Sequence, residues 1–89
     1  MYLGVKNVAV GNNYQLILTF ENGEMRQLDM NPYLNKGIFK ELRDLAIFNT
    51  VKVSFDTIEW ENEADLDPEF IYKYSVKIPD STLIDLKSL

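Results

Sequence analysis

Tyr14, Leu16, Leu18 and Phe20 alternate with Gln15, Ile17 and Thr19, and the pair Asn22-Gly23 follows at once. Side chains on a strand point to opposite faces in turn, so this alternation predicts a strand with one buried face. Asn and Gly both tolerate positive φ, and Asn-Gly after such a run is the strongest short-range hairpin signal a chain can carry. The return strand is Glu24-Met25-Arg26-Gln27-Leu28. A two-residue loop would set Glu21 opposite Glu24, an unfavourable like-charge pair. A three-residue loop with Gly23 in a bulge would set Leu16 opposite Leu28 instead. Either register commits this chain of 89 residues to a sheet built outward from this hairpin.

The flanking segments extend that sheet. Val8 and Val10 mark a short first strand, followed by the turn cluster Gly11-Asn12-Asn13. Asn31-Pro32 reads as a helix start, with an acceptor side chain before a proline at the first helical position. Leu34, Ile38, Leu42 and Leu45 recur at helical spacing, with Gly37 interrupting, which predicts a first turn at 32–35 and a main helix at about 38–45. Val51, Val53 and Phe55 alternate as a fourth strand, Asp56-Thr57 turns, and Ile58-Glu59-Trp60 forms a fifth. In Leu66-Asp67-Pro68-Glu69-Phe70-Ile71, Asp67 caps a helix, Pro68 opens it, and Leu66 with Ile71 forms a hydrophobic staple. Pro79 ends the regular part. The order is β-β-β-α-β-β-α, an α+β class with a mainly antiparallel sheet and helices packed on one face. A single domain covers residues 1–78 and a C-terminal tail covers 79–89, and no internal repeat is visible.

Composition narrows the chemistry. Nine Lys and Arg stand against 14 Asp and Glu, for a net charge of −5. That balance argues against nucleic acid as a partner, since phosphate contacts need clustered cations. The chain has no Cys and no His, so it lacks thiolate nucleophiles, the commonest general base and the commonest transition-metal ligand. Ser54, Ser75, Ser81 and Ser88 have no histidine to activate them, and no glycine-rich phosphate loop is present. The expectation is a protein that is not an enzyme and takes no cofactor or metal. The longest apolar run, Leu16-Ile17-Leu18, is cut off by Thr19 and Glu21, and the N-terminus lacks a signal-peptide pattern. A cytoplasmic location without membrane contact is therefore expected.

The elements Leu18-x-Phe20-x-Asn22-Gly23-Glu24, Leu28-Asp29, Phe48, Ile58-x-Trp60 and Ala64-Asp65-Leu66-Asp67-Pro68-Glu69 occur in a characteristic order, with Ile71 and Tyr72 closing the set. In this the chain resembles the small bacterial family called domain of unknown function 2442, over roughly residues 5–74. The glycine usual after the second Asn is Glu63 here, so the resemblance does not carry over the backbone of the Trp60–Asp65 loop. The family has no established activity. Members of that family are small stand-alone proteins or N-terminal modules joined to a helix-turn-helix domain, and this chain is expected to be a stand-alone member without the DNA binding of the second kind. The resemblance also implies a role for such members as candidate antitoxins, because many are encoded beside a small toxin.

Two features offer a partner something to hold. Half of the 14 acids lie between Asp56 and Glu69, with no Lys or Arg between Lys52 and Lys73. Asp65-x-Asp67-x-Glu69 resembles the start of a calcium loop, but Phe70 stands where glycine is required and Val76 where the distal Glu is expected. Asp67 and Glu69 read instead as cap and helix-dipole residues, leaving Glu61, Glu63 and Asp65 as candidate partner-binding acids that would steer a small basic toxin. The tail supplies Leu83, Ile84 and Leu86, which together with Leu89 place four aliphatics in seven residues. They would pack on the domain, on a second copy or on a partner. Trp60 is expected in the core. The reading is a non-catalytic bacterial protein-interaction domain of uncharacterised function, for which the resemblance suggests the antitoxin half of a toxin–antitoxin pair. The alternative is a ligand-sensing or self-associating regulatory module.

Overall fold

Two antiparallel meanders, made in succession, organise the molecule. The computed structural model describes residues 3–78. Strands β1 (Val5–Val10), β2 (Gln15–Phe20) and β3 (Met25–Asp29) are followed by 3-10 helices at Asn31–Tyr33 and Gly37–Arg43 and by one α-helical turn, α1 (Leu45–Phe48). Then come β4 (Lys52–Ser54), β5 (Thr57–Glu59), β6 (Asp65–Leu66), helix α2 (Pro68–Tyr74) and β7 (Val76–Lys77). β1-β2-β3-β7 form one sheet and β4-β5-β6 a second. Among the described residues all strand pairs are antiparallel, and the class is α+β, in the order expected. The tail residues Leu83, Ile84 and Leu86 lie outside the described residues.

The hairpin at Asn22-Gly23 takes the three-residue loop. Leu16 pairs with Leu28 and Thr19 with Met25. Gly23 N–H donates to the Phe20 carbonyl at 2.9 Å, and Phe20 N–H to the Glu24 carbonyl at 2.9 Å, with Gly23 at φ 89°. The like-charge pairing of Glu21 with Glu24 is thereby avoided. On the inner face Leu16, Leu18, Phe20 and Leu28 are buried. They share one core with Leu34, Leu42 and Phe48 from the helical stretch, Ile58, Trp60 and Leu66 from the second sheet, and Ile71 of α2.

The segment after β3 departs from the sequence expectation. Asn31 is not the cap: its own N–H donates to Asp29 Oδ1 at 3.0 Å, and its side chain donates to Asp29 and to the Asn13 carbonyl. The main helix is a 3-10 helix over Gly37–Arg43, broken at Asp44, whose carboxylate accepts from Ala46 N–H at 2.9 Å and caps α1. In a 3-10 helix residues three apart eclipse one another. Phe39 and Leu42 therefore share the inward face, while Ile38, in line with Glu41, stays 43% exposed. Leu45, beyond the break, is 56% exposed.

The second sheet is also shifted from expectation. Ser54 pairs with Thr57, so the turn is Phe55-Asp56, with both residues at positive φ (49° and 68°). Phe55 is thus a turn residue rather than the end of a buried face.

The β5–β6 connection reproduces the β2–β3 loop. Trp60 N–H donates to the Ala64 carbonyl at 2.9 Å, Glu63 N–H to the Trp60 carbonyl at 2.9 Å, and Ala64 N–H to Asn62 Oδ1 at 3.1 Å. These are the bonds made by Phe20, Gly23 and Asn22, where Glu24 N–H donates to Asn22 Oδ1 at 3.0 Å. Glu63 occupies Gly23's place at φ 73°. Both meanders then run into a helical segment opened by proline, Asn31-Pro32 and Asp67-Pro68. An internal repeat exists after all. It lies in turn geometry, and its trace in the sequence is the shared aromatic-Glu-Asn of Phe20-Glu21-Asn22 and Trp60-Glu61-Asn62.

Candidate functional site

The acids Glu61, Glu63 and Asp65 come together at the β5–β6 turn, and all three are exposed. Asn62 anchors the turn twice, accepting from Ala64 N–H and donating to Glu41 Oε1 at 3.1 Å, while Glu61 N–H donates to Thr50 Oγ1 at 3.0 Å. Glu59 stands directly opposite Asp65 across the sheet, a like-charge pair that a chain optimised only for folding avoids. Lys52, paired with Glu59 on the other side, lies 4.0 Å from its carboxylate and offsets part of this charge. Among the described residues no group of three carboxylates converges as a metal site would require. Asp67 is a cap: its Oδ1 accepts from Glu69 N–H at 2.8 Å. Trp60 is buried, its ring N–H donating to the Phe48 carbonyl at 3.0 Å.

At the opposite end of β4 and β5 stands Phe55, 96% exposed. The left-handed region costs a residue with a Cβ about 1 kcal/mol or more, and a bare phenyl ring in water contributes nothing to folding. The tip is held against the first sheet. Val5 N–H donates to the Asp56 carbonyl at 2.8 Å, and Gly4 N–H to Glu21 Oε1 at 3.1 Å. Gly4 fits because a Cβ there would lie 2.4 Å from Glu21 Oε1 and 3.0 Å from the Asp56 Cβ. The ring therefore projects from a tip where the exposed side chains of Asp56 and Glu21 meet over Gly4, with Glu21 held by the Gly4 N–H.

Sequence reasoning read Phe55 as a strand residue and so missed this aromatic. The cue was present in Asp56, since a turn shifted by one residue puts the preceding side chain at its tip. Arg26 was missed as well. Its side chain is 14% exposed and lies over the Tyr72 ring, 4.2 Å from the centroid. It donates to Ser75 Oγ and to the Ser75 carbonyl, both at 2.8 Å, and to Glu24 at 3.2 Å. Tyr72 O–H donates to the same carboxylate at 3.1 Å. That bond, with those from Arg26 and the charge of Lys77, holds the Glu24 carboxyl below its usual range, and it raises the Tyr72 hydroxyl. This network fastens the end of α2 to β3 and starts β7.

A cleft of about 390 Å³ opens beside β7, lined by Gln15, Gln27, Asp29, Tyr74, Val76 and Ile78 among others. Its polar residues are already linked. Gln27 donates to Gln15 at 2.9 Å, and Gln15 donates to Asp29 Oδ1 at 2.9 Å. The backbone N–H of Asn31, then its side chain and that of Gln15, hold the Asp29 carboxyl below its ordinary value. Tyr74, three residues after the buried Ile71, is 51% exposed, on the cleft wall.

Among the described residues no helix is long and apolar enough to cross a membrane. No curated protein and no solved structure matches the chain. A family model described as a protein of unknown function, DUF2442, matches residues 5–77. That span runs from the first residue of β1 to the last of β7, taking in both meanders and both proline-opened helical segments, and so the chain belongs to the DUF2442 family of proteins of unknown function.

Proposed function

We propose that this domain acts by binding, not by catalysis, and that it holds a small basic protein through its three-stranded sheet as the antitoxin half of a toxin–antitoxin pair. The observation that carries the reading is Phe55, 96% exposed on a left-handed turn whose next residue is Asp56, with the Asp56 and Glu21 side chains meeting over Gly4 beneath. Exposed aromatics that fill a partner's pocket dominate interface energetics, and backbone strain held at a surface side chain points to use outside the fold. Glu63 gives the same signal at the other end of the sheet: a carboxylate stands where the twin turn has glycine. The exposed acids near both ends of the sheet, Glu21 and Asp56 at one and Glu61, Glu63 and Asp65 at the other, suit a cationic partner, whose approach they accelerate in a salt-dependent way. The antitoxin role rests on the family resemblance.

The test is recovery of partners on the tagged full chain from lysate of its host, at low and high salt, alongside Phe55→Ser and a triple charge reversal at Glu61, Glu63 and Asp65. The expected result is one small basic protein in stoichiometric amount, weakened by salt and lost from both variants. That protein should arrest growth when expressed alone and be neutralised by this chain. Recovery that both variants leave unchanged overturns the reading.

The cleft beside β7 favours a second reading, a ligand-sensing or self-associating regulatory module, because its carboxamides and aromatic wall could take a small polar ligand. Sedimentation of the purified chain separates the two. A stable multiple of the 10.4 kDa chain in the absence of any partner supports the module.

A further inference from the structure

Asn22-Gly23 is the only Asn-Gly pair in the chain, and both residues are exposed at the loop tip. Such a pair can react with itself. The Gly23 amide nitrogen, having lost its proton to solvent, attacks Cγ of Asn22. The N–Cγ bond forms, the Cγ–Nδ2 bond breaks, and Nδ2 takes up a proton and leaves as ammonia. Water then opens the five-membered imide at one of its two carbonyls, giving aspartate or isoaspartate. One water is consumed, one ammonia is released and the chain gains one negative charge. No Cβ crowds the attacking nitrogen, and a Cβ built on Gly23 would meet nothing within 4 Å.

The folded loop engages both reacting groups. The Gly23 N–H that must be lost donates to the Phe20 carbonyl at 2.9 Å. The Asn22 carboxamide is held through its oxygen by Glu24 N–H at 3.0 Å. Attack requires both bonds to open and the carboxamide to swing back over the following amide. We propose that Asn22 is a fold-gated modification site: closed in the native hairpin, and converted to aspartate and isoaspartate in proportion to the time the β2–β3 hairpin is open. The two products differ in consequence. Aspartate keeps the acceptor for Glu24 N–H, whereas isoaspartate lengthens the loop backbone and cannot keep the three-residue connection that sets Leu16 against Leu28. Asn62 makes the same bonds in the twin turn but precedes Glu63, whose side chain crowds the attacking nitrogen, so it serves as an internal control.

The experiment incubates the full chain in mildly alkaline buffer at a series of urea concentrations, from none to fully denaturing. Peptides containing Asn22 and Asn62 are followed by mass, with isoaspartate scored by its specific methylation. Local opening of a core hairpin is a minority event in the native state. Asn22 should therefore react at least about tenfold more slowly in the folded chain than in the unfolded one, with a rate that rises with urea ahead of global unfolding. In denaturing urea Asn22 should outpace Asn62. A native rate within tenfold of the unfolded rate overturns the gating, and Asn62 reacting as fast as Asn22 in urea overturns the assignment of the site.

Discussion

At the scale of single residues, two side chains carry measurable consequences. Glu63 holds the left-handed position that Gly23 fills in the twin loop. Glu63→Gly is expected to stabilise the protein by about 1 kcal/mol, since relief of the Cβ clash outweighs the extra freedom of the unfolded chain. The urea midpoint at unchanged slope measures this. Glu24 is held by Tyr72 and Arg26, and its carboxyl titrates below its ordinary value. A group whose folded pKa is lowered contributes stability that is fully present above its unfolded pKa and is lost as the pH falls through the folded one. Glu24→Gln should therefore lower stability at neutral pH and flatten its decline on acidification through and below the ordinary carboxylate range. Tyr72 runs the other way. Its raised hydroxyl contributes below about pH 10 and is lost as the pH rises further.

At the scale of elements, the 3-10 helix over Gly37–Arg43 makes a contrast that an α-helix would not. Leu42 is fully buried and Ile38 is not. Leu42→Ala should cost about 2–5 kcal/mol, and Ile38→Ala should change stability by no more than about 0.5 kcal/mol. An α-helical stripe would penalise both, and paired denaturation curves decide between them. The same segment shows what was legible in the sequence. Strand alternation in Leu16–Phe20, the Asn22-Gly23 hairpin and the Asp67-Pro68 helix start could all be read, because each is fixed by bonds between near neighbours, whereas Tyr14, read as part of that strand, stands before it at φ 61°. Leu34, Ile38, Leu42 and Leu45 fit helical spacing equally well in a continuous α-helix. The choice of a tighter helix broken at Asp44 depends on where Phe39, Leu42 and Phe48 meet the core. Of the candidate site, Glu61, Glu63 and Asp65 were legible as a charge run. Phe55 was not, because its exposure depends on a one-residue shift in register against β5. The Arg26–Ser75 contacts join positions 49 residues apart, and nothing local announces them.

At the scale of the whole molecule, the two sheets share one core and are pinned to each other by backbone. Val5 N–H of the first meander donates to the Asp56 carbonyl of the second, and the Trp60 ring N–H donates to the carbonyl of Phe48 in α1, which lies between them in sequence. Complete loss of either meander therefore exposes the core it shares with the other, while the Asn22-Gly23 loop tip can still open locally. Fluorescence of Trp60, the chain's single tryptophan, should follow the same urea transition as far-UV circular dichroism. Two separated transitions would show the small sheet opening by itself. The glutamate in the twin loop also has a consequence for how such a protein evolves. One base change turns either glutamate codon into a glycine codon, so the relaxed loop lies a single mutation away from the present gene. A library of variants selected only for solubility should drift to glycine at position 63. A library selected for a surviving partner complex should hold the acid, and sequencing the two populations would separate the pull of folding from the pull of recognition at one codon.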